Sequence, residues 1–192
     1  MGILKLKNQV QFILESSSLK GCENELEIRS ETLQEFQIGA LNPRDKTPKK
    51  IGLYCPKLKV IDPAIWHLPQ LEILAVKCQK NACEILPQKI ASDLAPLKIV
   101  RLSGLELNSI PTWFAQLSHL QELDLNNNQL QQLPLELMAL KKLNRINLEQ
   151  NKFKSIPLCL TRMPWLNHLA LDNNPLSEEE RQLAFNLWGI WF

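Results

Sequence analysis

The side chains able to act as nucleophile, general base or metal ligand are few: five cysteines (Cys22, Cys55, Cys78, Cys83, Cys159) and three histidines (His67, His119, His168). Thiol catalysis needs a cysteine and an imidazole within hydrogen-bonding reach. A structural zinc site needs several Cys or His ligands, commonly in close pairs. The sequence has no CxxC pair, no HExxH segment and no glycine-rich phosphate loop, so none of these chemistries is announced locally. An odd set of cysteines without regular spacing also lacks the form of a disulfide framework and suits a reducing, cytoplasmic compartment. Residues distant in sequence could still meet, and whether they do depends on the elements that carry them.

Those elements follow from an internal repeat. Counting from Leu120, places 1, 4, 6, 11, 14, 18 and 21 hold Leu120, Leu123, Leu125, Leu130, Leu133, Leu137 and Leu140. The next unit starts 23 residues later and fills the same places with Leu143, Ile146, Leu148, Phe153, Ile156, Leu160 and Met163. The preceding unit does so with Leu97, Val100, Leu102, Leu107, Ile110, Phe114 and Leu117. A further unit opens at Leu166 with Leu169, Leu171 and Leu176. Upstream, Pro48 opens a copy with Ile51, Leu53, Leu58, Ile61, Ile65 and Leu68, and Leu71 opens a 26-residue copy with Asn81 in a core place. A divergent unit counted from Glu23 places Leu26, Ile28, Leu33 and Phe36 at 4, 6, 11 and 14.

Places 4 and 6 are two residues apart, so on a short strand both side chains enter the core while 3, 5 and 7 point away from it. Each unit therefore supplies one strand of a parallel sheet. Place 9 is Asn128, Asn151 and Asn174 in the last three units. There an amide can donate to and accept from backbone groups that the turning chain leaves unpaired, a structural role. Pro111, Pro134 and Pro157 set the backbone where it enters an outer segment of short helix or 3₁₀ turn. A lone unit has nothing to bury its aliphatics against, so stability must come from stacking and both ends need caps.

The segments LQELDLNNNQLQQLP and LNRINLEQNKFKSIP resemble leucine-rich repeats of the intracellular and bacterial type, with units of LxxLxLxxNxLxxLP. The resemblance extends over residues 48–176. It implies an α/β, right-handed solenoid, or horseshoe, with a parallel concave sheet and short convex helices or 3₁₀ turns. Of function it implies only binding, because this architecture serves many recognition roles.

The register also separates the reactive groups. Cys159 takes place 17 on the convex side and His168 takes place 3 on the concave sheet, while His67 and His119 take places 20 and 23. No nucleophile and base pair follows. Cys55 and Cys78 share place 8 of adjacent units, about 4.8 Å apart by strand spacing, within reach of a disulfide or a metal but expected as two reduced thiols. Glu149 and Asp172 share place 7. They could chelate a cation or act as acid and base, but are expected to form a solvated acidic patch. No cofactor, no metal site and no enzymatic activity are expected.

What remains is the concave face, taken from places 2, 3, 5, 7 and 8. Its early half presents Lys49, Lys50, Tyr54, Glu72, Ile73, Lys77, Lys98, Ile99 and Arg101, and its later half Glu122, Asp124, Asn126, Arg145, Glu149, His168 and Asp172. Charge is expected to run from basic to acidic along the sheet, orienting an extended protein partner more than setting its affinity. Affinity is assigned to the apolar anchors Ile73, Ile99 and Tyr54. The partner-binding set comprises these three with Lys77, Arg101, Asp124, Arg145, Glu149, His168 and Asp172. Cross-strand ion pairs are expected for Arg101 with Asp124 and for Glu122 with Arg145.

Composition agrees with this assignment. A 192-residue chain that is 45% hydrophobic and 22% charged can bury one continuous core and makes a single domain. With a net charge of +2 and no basic run, nucleic acid is not an expected partner. No apolar stretch reaches a membrane span, and Lys5, Lys7, Asn8 and Gln9 interrupt the first aliphatics, against a secretory signal. Leu6 stands where a myristoylation motif needs Ser or Thr. Residues 1–47 are expected as an N-terminal cap and divergent repeat, with Ile3–Leu14 open to either helix or strand. Residues 48–176 form the repeats and 177–192 a capping helix started by Ser177 and Glu178–Glu180. That helix is expected to lay Leu183, Phe185, Leu187, Trp188 and Ile190 over the last repeat, with Trp191 and Phe192 left to seed weak self-association. The expected role is protein recognition or an adaptor function. The alternative is a bacterial type IV-secreted effector, from the resemblance of the Glu-rich, then apolar C-terminus to such secretion signals.

Overall fold

The computed structural model describes residues 25–29, 34–36, 48–78, 85–90 and 92–190. The expectations for Ile3–Leu14, Cys22, Leu33, Asn81, Cys83, Trp191 and Phe192 lie outside the described residues.

Strands β1 (Glu25–Arg29), β3 (Lys50–Tyr54), β5 (Ile73–Lys77), β6 (Ile99–Ser103), β7 (Glu122–Asp124), β8 (Arg145–Asn147) and β9 (His168–Ala170) form one seven-stranded parallel sheet in sequence order. Two further short strands, β2 (Glu35–Phe36) and β4 (Val60–Ile61), pair in parallel as a separate two-stranded sheet. The register is the one the repeat dictates: Ile51 stands opposite Leu74, Leu74 opposite Val100, Val100 opposite Leu123, Leu123 opposite Ile146 and Ile146 opposite Leu169. In the first unit Leu26 and Ile28 stand opposite Ile51 and Leu53. Identical places therefore stack on identical places, which lets each aliphatic pack on its counterpart in the next unit.

On the outer arc, 3₁₀ turns cover Pro63–His67, Thr112–Gln116 and Leu135–Ala139, and a single α-helical turn, α1, covers Leu158–Thr161. Three of these segments are entered through Pro111, Pro134 and Pro157, all in extended backbone with φ near −60°, the angle the pyrrolidine ring imposes. Ile65, Phe114, Leu137 and Leu160 point inward from this arc and close the core against Leu53, Val76, Leu102 and Leu125 from the sheet. All are fully buried or nearly so. At roughly 1.5 to 3 kcal/mol for each large aliphatic side chain, such stacking is the chief source of stability.

The place-9 asparagines are the buried polar residues of the described core. Asn151 shows their work: Oδ1 accepts from the Leu130 N–H at 3.0 Å, and Nδ2 donates to the carbonyls of Leu125, Leu148 and Glu149. Asn128 and Asn174 repeat the pattern. Each amide thus serves two adjacent units at once, meeting donors and acceptors that the turn would otherwise leave buried and unpaired.

The chain ends its repeats at helix α2 (Glu178–Trp188), where the Ser177 hydroxyl accepts from the Glu180 N–H at 3.3 Å. The packing of α2 corrects the expectation drawn from its apolar residues. Ala184 is its buried contact, Trp188 and the following Ile190 pack partly against the core, and Leu183, Phe185 and Leu187 are exposed. At 100° per residue, the stripe that contains Ala184 and Trp188 also contains Glu180 and Arg181. Those two secure the helix by polar contacts, from the Ile156 N–H to Glu180 at 2.9 Å and from Arg181 to the Leu176 carbonyl at 3.4 Å.

Candidate protein-binding face

Because the strands stack in register, outward side chains form rows across the sheet. Place 3 reads Glu25, Lys50, Ile73, Ile99, Glu122, Arg145 and His168. Place 5 reads Glu27, Gly52, Ala75, Arg101, Asp124, Asn147 and Ala170. Arg29, Tyr54, Lys77 and Ser103 begin the place-7 row, which Asn126, Glu149 and Asp172 continue beyond the shorter strands.

Ile73 and Ile99 are direct partners across β5 and β6, both partly exposed, so they form one apolar surface. Tyr54 is brought close by a gap rather than by its own row. A Cβ on Gly52 would lie 3.0 Å from the Tyr54 ring, so the ring leans over Gly52 into the place-5 row, beside Ala75. The Arg29 guanidinium stacks on the ring at 4.5 Å, where the π face attracts a cation.

The charges are paired differently from the simple same-place expectation. Arg101 bonds Glu122 through both Nε and Nη2 at 2.8 Å, a diagonal pair, instead of Asp124 directly opposite. Arg145 consequently does not have Glu122 as its partner. Guanidinium reach explains the choice: a long, forked donor can span to the next row. Asp124 instead accepts from the Asn126 N–H at 3.1 Å. Burial pushes the Asp124 carboxyl above its ordinary range, against the lowering effects of that bond and of the Arg101 charge.

Pairing also consumes the basic half. Lys50 meets Glu25 at 3.2 Å, Lys98 meets Glu72 at 2.8 Å and Arg29 meets Glu27 at 2.7 Å. The Lys98 hydrogen bond, more than its charge, holds the Glu72 carboxyl below the usual range. The expected basic-to-acidic run is thus reduced to a few side chains. Lys77 and Arg145 have no ion-pair or hydrogen-bond partner among the described residues, and neither do the side chains of Glu149 and Asp172.

Place 8 is not uniformly on this face. Cys55 and Cys78 are buried thiols, because β3 and β5 run straight into their turns. The later units instead bend outward through Gly104, Asn127, Gln150 and Asn173, all with φ between 54° and 68°. Gly104 marks the change: a Cβ there would lie 2.6 Å from the Cys78 carbonyl oxygen, so only glycine fits. Cys159 is buried on the arc and its thiol is pushed up to about 11 by desolvation, which disfavours the reactive thiolate. His67 Nδ1 lies 2.8 Å from the Asp93 carbonyl and His119 Nδ1 lies 3.4 Å from Lys142, both remote from Cys159 in the fold. No cluster of three His, Cys, Asp or Glu able to hold a metal occurs among the described residues.

Two features were missed by counting places. The first is an aromatic cluster on the arc, in which Trp66 meets Trp113 at 5.1 Å and Phe114 at 5.6 Å, both edge-on. The Trp66 and Trp113 indoles donate to the carbonyls of Ile85 and Pro87, anchoring the longer unit at its outer edge. Trp66 and Trp113 fall at places 19 and 17, outside the repeating set. The second is a cavity of about 710 Å³ at the β9 edge of the sheet, lined by the outward Arg145, Asn147, His168 and Ala170, by the inward Ile146, Leu166 and Leu169, and by Trp188 and Ile190.

The sheet, the convex turns and the asparagine ladder together define a leucine-rich-repeat solenoid. Residues 118–176 match the family model described as Leucine rich repeat, and the whole described chain has the fold of a leucine-rich-repeat protein. A leucine-rich-repeat protein of Leptospira interrogans is similar over 85% of this chain, at 21% identity and a TM-score of 0.58. The present chain spans 52% of that structure, about half its length. The BIR2 ectodomain of Arabidopsis thaliana, at 24% identity, 62% of this chain, 64% of that one and a TM-score of 0.46, is also similar. So is an internalin of Listeria monocytogenes, at 18% identity, 69% and 53% coverage and a TM-score of 0.41. No curated protein sequence matches the chain. No helix among the described residues is long and apolar enough to cross a membrane.

Proposed function

We propose that this chain is a non-enzymatic recognition protein that binds a protein partner on the concave sheet, with Ile73, Ile99 and Tyr54 as anchors. The observation that carries the reading is the direct pairing of Ile73 with Ile99, with the Tyr54 ring lying over Gly52 on the adjoining strand. These are partly exposed apolar groups on a sheet whose other early side chains are charged and mostly engaged. Burying such groups supplies affinity, whereas ion pairs already made within the chain have little left to give a partner. The buried thiols Cys55, Cys78 and Cys159 support action in a reducing compartment, which we take to be cytoplasmic.

The test begins with affinity capture of the partner by the intact chain. Titration calorimetry then compares the parent with Tyr54→Ala and Ile99→Asp, each checked for an unchanged circular dichroism spectrum. Each substitution is expected to weaken binding at least about tenfold, or roughly 1.4 kcal/mol. If both bind the captured partner as the parent does, the anchors lie elsewhere.

A further inference from the structure

We propose that the cavity at the β9 edge of the sheet is a subsite for an acidic side chain of an extended protein segment, with Arg145 as its cation. This extends the protein-binding reading to a second place on the same sheet, remote from Ile73 and Ile99, and rests on that reading.

Three observations converge. Arg145 and His168 are opposite each other on β8 and β9, about 4.8 Å apart by strand spacing, and both are exposed. The neighbour that would neutralise Arg145 is Glu122, its partner across β7 and β8, but both Arg101 contacts fall on Glu122 Oε1 at 2.8 Å. Arg145 is left with no ion-pair or hydrogen-bond partner among the described residues. Finally, the space beside these groups is shaped. Ala170, opposite Asn147, leaves the place-5 row low, while Trp188 and Ile190 border the same cavity of about 710 Å³.

The chemistry selects the ligand. A guanidinium presents a planar fork that matches a carboxylate, and the His168 ring nitrogens and the Asn147 amide add hydrogen-bonding groups. Trp188 and Ile190 offer apolar area to the residue next to that carboxylate. Glu149 and Asp172 lie four residues further along the chain than Arg145 and His168, beyond the ends of β8 and β9. Neither side chain pairs with Arg145. The favoured occupant is thus an acidic residue flanked by leucine or a similar apolar residue.

The experiment uses two capped peptides, acetyl-Glu-Leu-Glu-Leu-amide and acetyl-Gln-Leu-Gln-Leu-amide, titrated into the full chain and followed by the NMR signals of the Trp188 indole and His168 ring. The Glu peptide is expected to shift both signals and to bind at least about fivefold more tightly than the Gln peptide. Arg145→Gln, a surface change, should remove that preference and leave the remaining spectrum intact. Equal binding of the two peptides, no binding by the Glu peptide, or a preference that survives Arg145→Gln would each overturn the assignment. Because neither Tyr54 nor Ile99 enters this measurement, its failure is distinct from failure of the anchor test.

Discussion

Asp124 and Asn147 occupy the same place in adjacent repeats and do the same local work. Each side-chain oxygen accepts from the backbone N–H two residues on, at 3.1 Å and 2.9 Å. Only Asp124 must lose charge hydration to do so, and burial raises its carboxyl pKa. A carboxyl whose folded pKa is raised favours folding while protonated. That contribution is present below its unfolded pKa and is lost as pH rises through the folded value. At neutral pH the ionised Asp124 is therefore a net cost that Asp124→Asn should remove while keeping the acceptor. The expected gain is about 0.5 kcal/mol, or about 1–2 °C in Tm, fading as pH falls through the raised folded pKa and absent below about 4, the ordinary value of an aspartate. Thermal scans from neutral to acid pH check this, and a variant that melts lower than the parent at pH 7 would show the charge to be favourable. Sequence alone identified Asp124 as an outward residue, but assigned it to Arg101. The diagonal reach of Arg101 to Glu122 depends on rotamers that counting cannot supply.

At the scale of elements, the solenoid is built in two styles. β3, β5 and β6 have five residues each, whereas β7, β8 and β9 have three. The short-strand units, and the β6 unit at Gly104, turn through a left-handed residue, and the asparagine ladder meets their backbone groups. The β3 and β5 units instead continue the sheet, with the Cys55 N–H donating to the Lys77 carbonyl and the Cys78 N–H to that of Ser103. Asn151→Ala should accordingly cost about 1–3 kcal/mol in urea unfolding, because it orphans the buried Leu130 N–H and removes one of the two donors that reach each of the Leu125, Leu148 and Glu149 carbonyls. A loss under about 1 kcal/mol would show that water replaces the amide. The ladder was legible from asparagine recurring at place 9. The orientation of α2 was not, since its apolar residues lie on more than one side and only Ala184 is small enough for the closest approach.

For the molecule as a whole, each unit touches only its neighbours, so stability accumulates along the stack and is lowest where a neighbour is missing. Amide exchange should be slowest for β3, β5, β6, β7 and β8, which are paired on both sides, and faster for β9, which pairs with β8 alone in the sheet. Exchange measured by mass spectrometry tests this gradient, and a β9 as protected as β7 would mean that α2 serves as a full neighbour. The same edge position of β9 borders the cavity beside Arg145, so an edge of the sheet and the proposed acidic-residue subsite coincide. The Ile73 and Ile99 anchors sit instead on paired strands, where a partner meets a fixed surface and loses less in ordering it.

Repeat spacing by itself determined the parallel sheet, its register, the inward and outward rows, the asparagine ladder and the separation of Cys159 from His168. These follow from periodicity, because every unit repeats the same steric problem and stacking gives it one answer. Tertiary structure alone decided which charges pair, that Cys55 and Cys78 turn inward, that the Tyr54 ring covers Gly52, and that Leu183, Phe185 and Leu187 of α2 face outward. Each of these depends on side-chain reach or on the shape of a gap between units, quantities that a residue's place in a repeat does not contain. Among the described residues, Cys55, Cys78 and Cys159 are buried thiols, and Arg145, expected in a surface ion pair, becomes the cation of a proposed site.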